Sequence, residues 1–258
     1  MSLVWLDDLR LNAELSGPDT APPLVLIHGL GLDIRLWDAL LPRVPARTLR
    51  IDLRGHGLSD TPAPPYAMGA LIRDVERLMT HFALKDAVVL GAGEGGLIAQ
   101  GLAAKRLDLV RAMVLTGSAT RFANPAVWEV RLARLRDSGP DLDAECAQLL
   151  GPRWQGAPAL APVRAMLERT RPAGWQGFAA AIATADFYQT TATLKLPTLV
   201  LAGSDDRKTP PDLQRELADL VAGAQFHLLR GGSHLSMLTH AEAFAETLRG
   251  FLTRIGNF

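Results

Sequence analysis

The 258-residue chain has a single cysteine, Cys146, and so cannot close a disulfide within itself. No Cys/His cluster has the spacing of a structural zinc site, and a reducing, cytoplasmic setting is the expectation that follows. Neither sign of charge is in excess, since 27 Lys and Arg balance 27 Asp and Glu. The composition therefore offers no basic footprint for nucleic acid and no attraction to an acidic membrane surface. No run approaches the ~18 consecutive apolar residues of a membrane span. The first residues, MSLVWLDDLRLNAEL, lack a basic segment followed by a long apolar stretch, so no signal peptide is expected. Internal repeats and low-complexity tracts are absent too, and the 17 prolines are scattered as turn markers.

What the chain does have is alternation. Short apolar, β-branched runs alternate with amphipathic stretches, the pattern of a mostly parallel sheet covered by helices. Residues 3–6 and 9–15 read as a hairpin turning at Asp7-Asp8. Further strands are expected at 24–27, 48–53, 87–90, 110–115, 197–202 and 225–229, eight in all. Helices are expected at 33–41, 69–82, 95–105, 211–221 and 241–252; in the second, Leu71, Val75, Leu78 and Phe82 recur at helical spacing.

Between about 121 and 193 the strand pattern stops. Four short helical stretches are expected there, broken at Ser138-Gly139-Pro140, Gly151-Pro152 and Arg171-Pro172-Ala173-Gly174, and three of the five tryptophans fall among them. The expected organisation is an α/β core of residues 1–120 and 194–258, with 121–193 as a helical cap over the C-terminal edge of the sheet, where ligands bind in such architectures.

Four loops, each directly after an expected strand, carry candidate chemistry. His28-Gly29-Leu30-Gly31 can turn sharply and expose amide N–H groups, as an oxyanion hole requires; alone, such a glycine pair is commonplace. Gly91-Ala92-Gly93-Glu94-Gly95 has the small flanking residues of a nucleophile elbow, a tight strand-to-helix turn, but its centre is Gly93. A GxGxxG nucleotide fingerprint fits only as Gly91, Gly93 and Gly96, on a strand that does not open a βαβ unit, and is set aside. The loop Gly203–Pro210 offers Asp205 and Asp206, either of which can orient a histidine or simply cap a helix. Gly231-Gly232-Ser233-His234 places a histidine where it can act as a general base, although a lone histidine is more often structural.

Elbow, acid, histidine is the chain order of the α/β-hydrolase triad. The sequence resembles that superfamily and, within it, the 3-oxoadipate enol-lactonases, over nearly its whole length. The resemblance rests on Leu26-Ile27-His28-Gly29-Leu30-Gly31 with Arg35-Leu36-Trp37, on Asp52–Ser59 and Gly96–Ala104, and on Trp128-Glu129-Val130-Arg131. Arg153-Trp154, Ala173-Gly174-Trp175 and Gly232-Ser233-His234-Leu235 extend it. It implies an eight-stranded α/β-hydrolase sheet with helices on both faces, and a hydrolase acting on a small ester or lactone that can carry a carboxylate. By the same resemblance Asp206 is the acid, with Asp205 its rival, and His234 the base, while the oxyanion donors are the N–H groups of Leu30 and Glu94. No cofactor, metal, nucleic acid or membrane partner is implied.

The family has serine where this chain has Gly93, and three explanations stand: a deliberate replacement, a divergent paralogue, or another nucleophile. Glu94 is a candidate substitute. As first residue of the following helix, however, its side chain is expected to point away from the pocket, where its charge simply suits the helix N-terminus. Ser118, Ser204 and Ser236 lie near strand ends but not on an elbow. Arg131, Arg134 and Arg153 are candidates to meet a substrate carboxylate, and Trp128 and Trp154 either line the pocket or fill the cap core. Two other classes stay open: a ligand-binding protein without catalysis, and a lyase- or isomerase-like enzyme using only the His–Asp pair.

Overall fold

The computed structural model describes residues 2–6, 8–154 and 157–256; the expected turn residue Asp7 lies outside them. Eight strands form one sheet: β1 (Ser2–Leu6), β2 (Leu9–Ser16), β3 (Pro23–Ile27), β4 (Arg47–Ile51), β5 (Ala87–Ala92), β6 (Val110–Thr116), β7 (Thr198–Gly203) and β8 (Gln225–Leu229). Their spatial order is β1-β2-β4-β3-β5-β6-β7-β8. β2 is antiparallel to both β1 and β4, and every other pairing is parallel. The apolar runs read from the sequence are the buried centre: all six residues of β5 and of β7 are buried, which requires cover on both faces.

Helices α1 (Met68–His81) and α2 (Gly95–Lys105) follow β4 and β5, and α3 (Pro125–Asp137), α4 (Leu142–Leu150), α5 (Leu160–Arg169), α6 (Pro172–Ala183) and α7 (Tyr188–Ala192) lie between β6 and β7. The chain ends in α8 (Pro211–Leu220), α9 (Ser236–Thr239) and α10 (Ala241–Arg254). Leu71, Val75 and Leu78 of α1 are buried, as their spacing predicts.

Three expectations need correction. Residues 33–41 form no α-helix; Ile34–Trp37 and Leu41–Arg43 are single 3-10 turns. Asp33 caps the first through its side chain, and Pro42, which cannot donate a backbone hydrogen bond, confines the second. The helical insertion has five α-helices rather than four, with a 3-10 turn at Pro152–Trp154. The break expected at Arg171–Gly174 falls at Thr170 and Arg171, between α5 and α6, and Pro172 to Gly174 already belong to α6: Pro172 takes the first helical position, where its fixed φ and missing N–H are harmless.

The topology chooses where chemistry can happen. From β3 the chain passes to β4 on one side and then to β5 on the other, so the order reverses at β3 and opens a crevice at the strand C-termini. Ile27 pairs in register with Gly91, which sets the loop after β3 beside the loop after β5. Leu201 is level with Thr116, and Gly203 with Leu229, so the later loops emerge along the same edge.

Candidate active site

The turn from β5 into α2 is built by close contact. A Cβ on Gly91 would lie 2.6 Å from the carbonyl oxygen of Gly95, and one on Gly95 only 2.4 Å from that of Ile27. No side chain fits at either position. Gly93, at the apex, has φ +56, a left-handed conformation that costs a residue with a Cβ on the order of 1–3 kcal/mol. A Cβ placed there would sit 3.1 Å from Nε2 of His234. The imidazole thus stands directly beside the apex of the turn.

His234 is 2 % exposed, and its Nδ1 lies 3.1 and 3.0 Å from the two carboxylate oxygens of Asp206. The Asp206 carboxylate accepts from Nδ1–H, which leaves Nε2 on the side of the ring that faces position 93. Asp206 is fixed in turn by the backbone N–H groups of Lys208 (2.9 Å) and Thr209 (2.8 Å) and by the Gln214 amide (3.1 Å). The same Gln214 accepts from the N–H of Gly117 at 2.8 Å and donates to the Thr209 carbonyl at 2.7 Å. Asp205, the rival, accepts from the Ser204 hydroxyl and lies 3.6 Å from Arg153, away from the imidazole.

The loop after β3 is held by two buried histidines. Nε2 of His28 accepts from the Leu53 N–H and Nε2 of His56 from the Gly31 N–H, each at 3.0 Å. Their Nδ1 atoms face the carbonyls of Gly29 and Arg54, so both rings are neutral with the proton on Nδ1. Burial drives their pKa values down to about 4 for His28 and about 3 for His56.

Glu94 overturns the sequence expectation. It is the residue before α2 rather than its first, and its side chain turns inward instead of away. Oε2 accepts from the backbone N–H of Leu30 at 3.1 Å, and Oε1 pairs with the Lys208 ammonium at 3.0 Å. Glu94 is 1 % exposed and the Lys208 side chain 8 %. Burial alone opposes ionisation most strongly, yet Lys208, then His234 and Arg131, together with the residue's own N–H, bring its pKa down to about 2. A permanently charged carboxylate therefore rests on one of the two expected oxyanion donors.

Residues of the insertion pack against this edge. Trp175 and Leu167 crowd Gly31, where an added Cβ would meet them at 2.5 and 2.7 Å, and Gly174 abuts the Gly55 backbone. The Leu235 N–H donates to the Leu149 carbonyl, tying the histidine loop to the end of α4. Arg131 is half-buried, 2.6 Å from Glu145 and 5.0 Å from the Trp128 ring centroid, and it acts on Glu94 electrostatically. Arg134 and Arg153 are on the solvent side, paired with Asp141 and Asp205. Trp128 is buried with its indole N–H on the Phe122 carbonyl, and Trp154 packs edge-on against His240. Ser118 is fully buried against Gly96, and the Ser236 hydroxyl is spent on the Ser233 carbonyl. Among the described residues no group of three or more His, Cys, Asp or Glu is placed to hold a metal ion, and no helix is long and apolar enough to cross a membrane.

Sequence reasoning thus brought together position 93, Leu30, Glu94, Asp206 and His234, and missed Lys208 and Gln214. Lys208 stood in the acid loop with no role assigned to it; its buried partner, Glu94, lies 114 positions earlier in the chain.

A parallel sheet reversing at β3, a tight turn after β5 and a histidine–aspartate pair from the last two loops define an α/β hydrolase. The chain belongs to the alpha/beta hydrolase family, which it matches over residues 24–247. It is 32 % identical to the enol-lactonase from Burkholderia xenovorans LB400, with a TM-score of 0.93 over 98 % of this chain and 100 % of that one. It is 25 % identical to 3-oxoadipate enol-lactonase 2 of Acinetobacter baylyi, over 96 % of this chain and 94 % of that protein. It is also 30 % identical to the pimeloyl-[acyl-carrier protein] methyl ester esterase of Neisseria meningitidis, over 94 % of this chain and 98 % of that protein.

Proposed function

We propose that this chain is a carboxylic ester or lactone hydrolase by ancestry, resembling the enol-lactonases, in which serine-type catalysis is lost because position 93 carries no attacking oxygen. The observation that carries the reading is the 3.1 Å between Nε2 of His234 and the place of a Cβ on residue 93, with Asp206 behind the ring. With a hydroxyl at 93, His234 takes its proton as the oxygen attacks the ester carbonyl, and Asp206 stabilises the imidazolium. His234 then protonates the departing alcohol, and the same histidine activates the water that releases the acid. The N–H groups of Leu30 and Glu94 are the donors for the carbonyl oxygen, and residues 121–193 act as a cap over the site. With Gly93, only water activation by the His234–Asp206 pair remains.

The three relatives named for esters and lactones support the substrate class, a small ester or lactone. Arg131 is the candidate partner for a carboxylate on it, since it is the one of the three arginines electrostatically linked to the site. The test is turnover of an activated ester by the Gly93 protein, by Gly93→Ser, and by Gly93→Ser/His234→Ala. The serine variant is expected to gain at least about tenfold over its parent, a gain lost without His234. Equal and fast turnover by the parent would place the nucleophile elsewhere.

A further inference from the structure

We infer that the chain carries a second block on catalysis, independent of Gly93: the pocket formed by the Leu30 N–H, the Glu94 N–H and the Lys208 ammonium is a carboxylate site that the protein fills with its own Glu94 side chain. Three observations converge on it. Oε2 of Glu94 accepts from the Leu30 N–H at 3.1 Å, so it takes up one of the two donors proposed for the carbonyl oxygen. Oε1 is 3.0 Å from Lys208, and both side chains are more than nine-tenths buried, so the pair is a built feature rather than a surface encounter. Gly29 makes the room: a Cβ there would lie 2.7 Å from Oε2.

A backbone N–H beside a buried ammonium recognises a carboxylate far better than a neutral ester oxygen, because hydrogen bonds to an ionised acceptor are roughly twice as strong. A ground-state carbonyl therefore cannot displace Glu94, and the charge that develops on it in the transition state finds its donor occupied. The ligand class that fits the vacated pocket is a small carboxylate, which would repeat the contacts of the side chain it replaces.

The inference rests on Leu30 and Glu94 being the oxyanion donors, and two arms test it separately from the hydrolase reading. In the first, acetate is titrated against the parent, Glu94→Ala and Glu94→Ala/Lys208→Ala, with thermal midpoint and calorimetry as readouts. Saturable acetate binding is expected in Glu94→Ala, absent from the parent and lost again with Lys208. The double variant removes both charges, so it controls for a fold disturbed by an unpaired buried lysine. An acetate response equal in all three overturns the site. In the second arm, Gly93→Ser/Glu94→Ala and Gly93→Ser/Glu94→Ala/Lys208→Ala are expected to hydrolyse an activated ester about tenfold or more faster than Gly93→Ser. A fast Gly93→Ser with no gain from Glu94→Ala overturns the block while leaving the hydrolase reading intact. Acetate binding with no ester turnover in any serine variant keeps the carboxylate site but overturns the block together with the hydrolase reading.

Discussion

Gln214 does more for the site than its amide would suggest from sequence. It joins two loops, accepting from the Gly117 N–H after β6 and donating to Asp206 and to the Thr209 carbonyl after β7, and it is fully buried. Gln214→Leu keeps the volume but leaves a buried N–H and a buried carbonyl without partners. Each such group costs about 1–3 kcal/mol, so denaturant unfolding should show a loss of that order or somewhat more. A variant as stable as its parent would mean these contacts are dispensable. At this scale the sequence was partly legible. His234 follows from loop position and chain order, which left the acid open between Asp205 and Asp206 until the family resemblance favoured Asp206, whereas Gln214 and Lys208 carry no motif. Their roles come from burial against partners on other elements, which no local pattern encodes. Glu94 misled because helix numbering alone aims its side chain outward. An ion pair with Lys208 and a bond to Leu30 turn it in.

At the scale of elements, the two histidine-bearing loops show how the site is kept in shape. His28 and His56 lie 5.1 Å apart between ring centroids, and each accepts a backbone N–H that a protonated ring could not accept. Their folded pKa values, about 4 and about 3, lie below the unfolded value near 6.5. The unfolded chain therefore binds protons first as pH falls. The contribution is complete above about pH 6.5 and is lost progressively toward 4 and 3, up to about 2 kcal/mol per histidine by pH 5. Glu94 acts in a lower window, from its ordinary value near 4.5 down to about 2. Equilibrium unfolding near pH 7 and near pH 5 separates the two, because only the histidines respond in that range. A midpoint unchanged between those conditions would contradict neutral, backbone-bound rings. Strand elements were legible for a simple reason, namely that apolar runs buried on both faces need no partner to be recognised. The insertion was less so, since Pro172 reads as a breaker yet starts a helix, and only the preceding residues decide which.

At the scale of the whole molecule, the sheet order brings four loops from widely separated sequence to one edge, and residues of the insertion pack against it. Gly174 against Gly55, and Trp175 with Leu167 against Gly31, seat the insertion on the same two loops that the histidines stabilise. Burial leaves His234, Asp206 and Glu94 almost without solvent contact, so each charge there is felt strongly by its neighbours. The fold was readable because alternation of runs and helices is a property of the entire chain. The occupied pocket was not, because it arises only once residues 30, 94 and 208 meet. The hydrolase reading depends on residue 93 standing where an attacking oxygen would meet His234. The most direct measurement is mass spectrometry of Gly93→Ser/Glu94→Ala after brief exposure to an activated ester. The expected result is one acyl group on position 93, absent from the Gly93 parent and from the same variant carrying His234→Ala. An acyl group found on another residue, or none on a folded variant, would contradict the account.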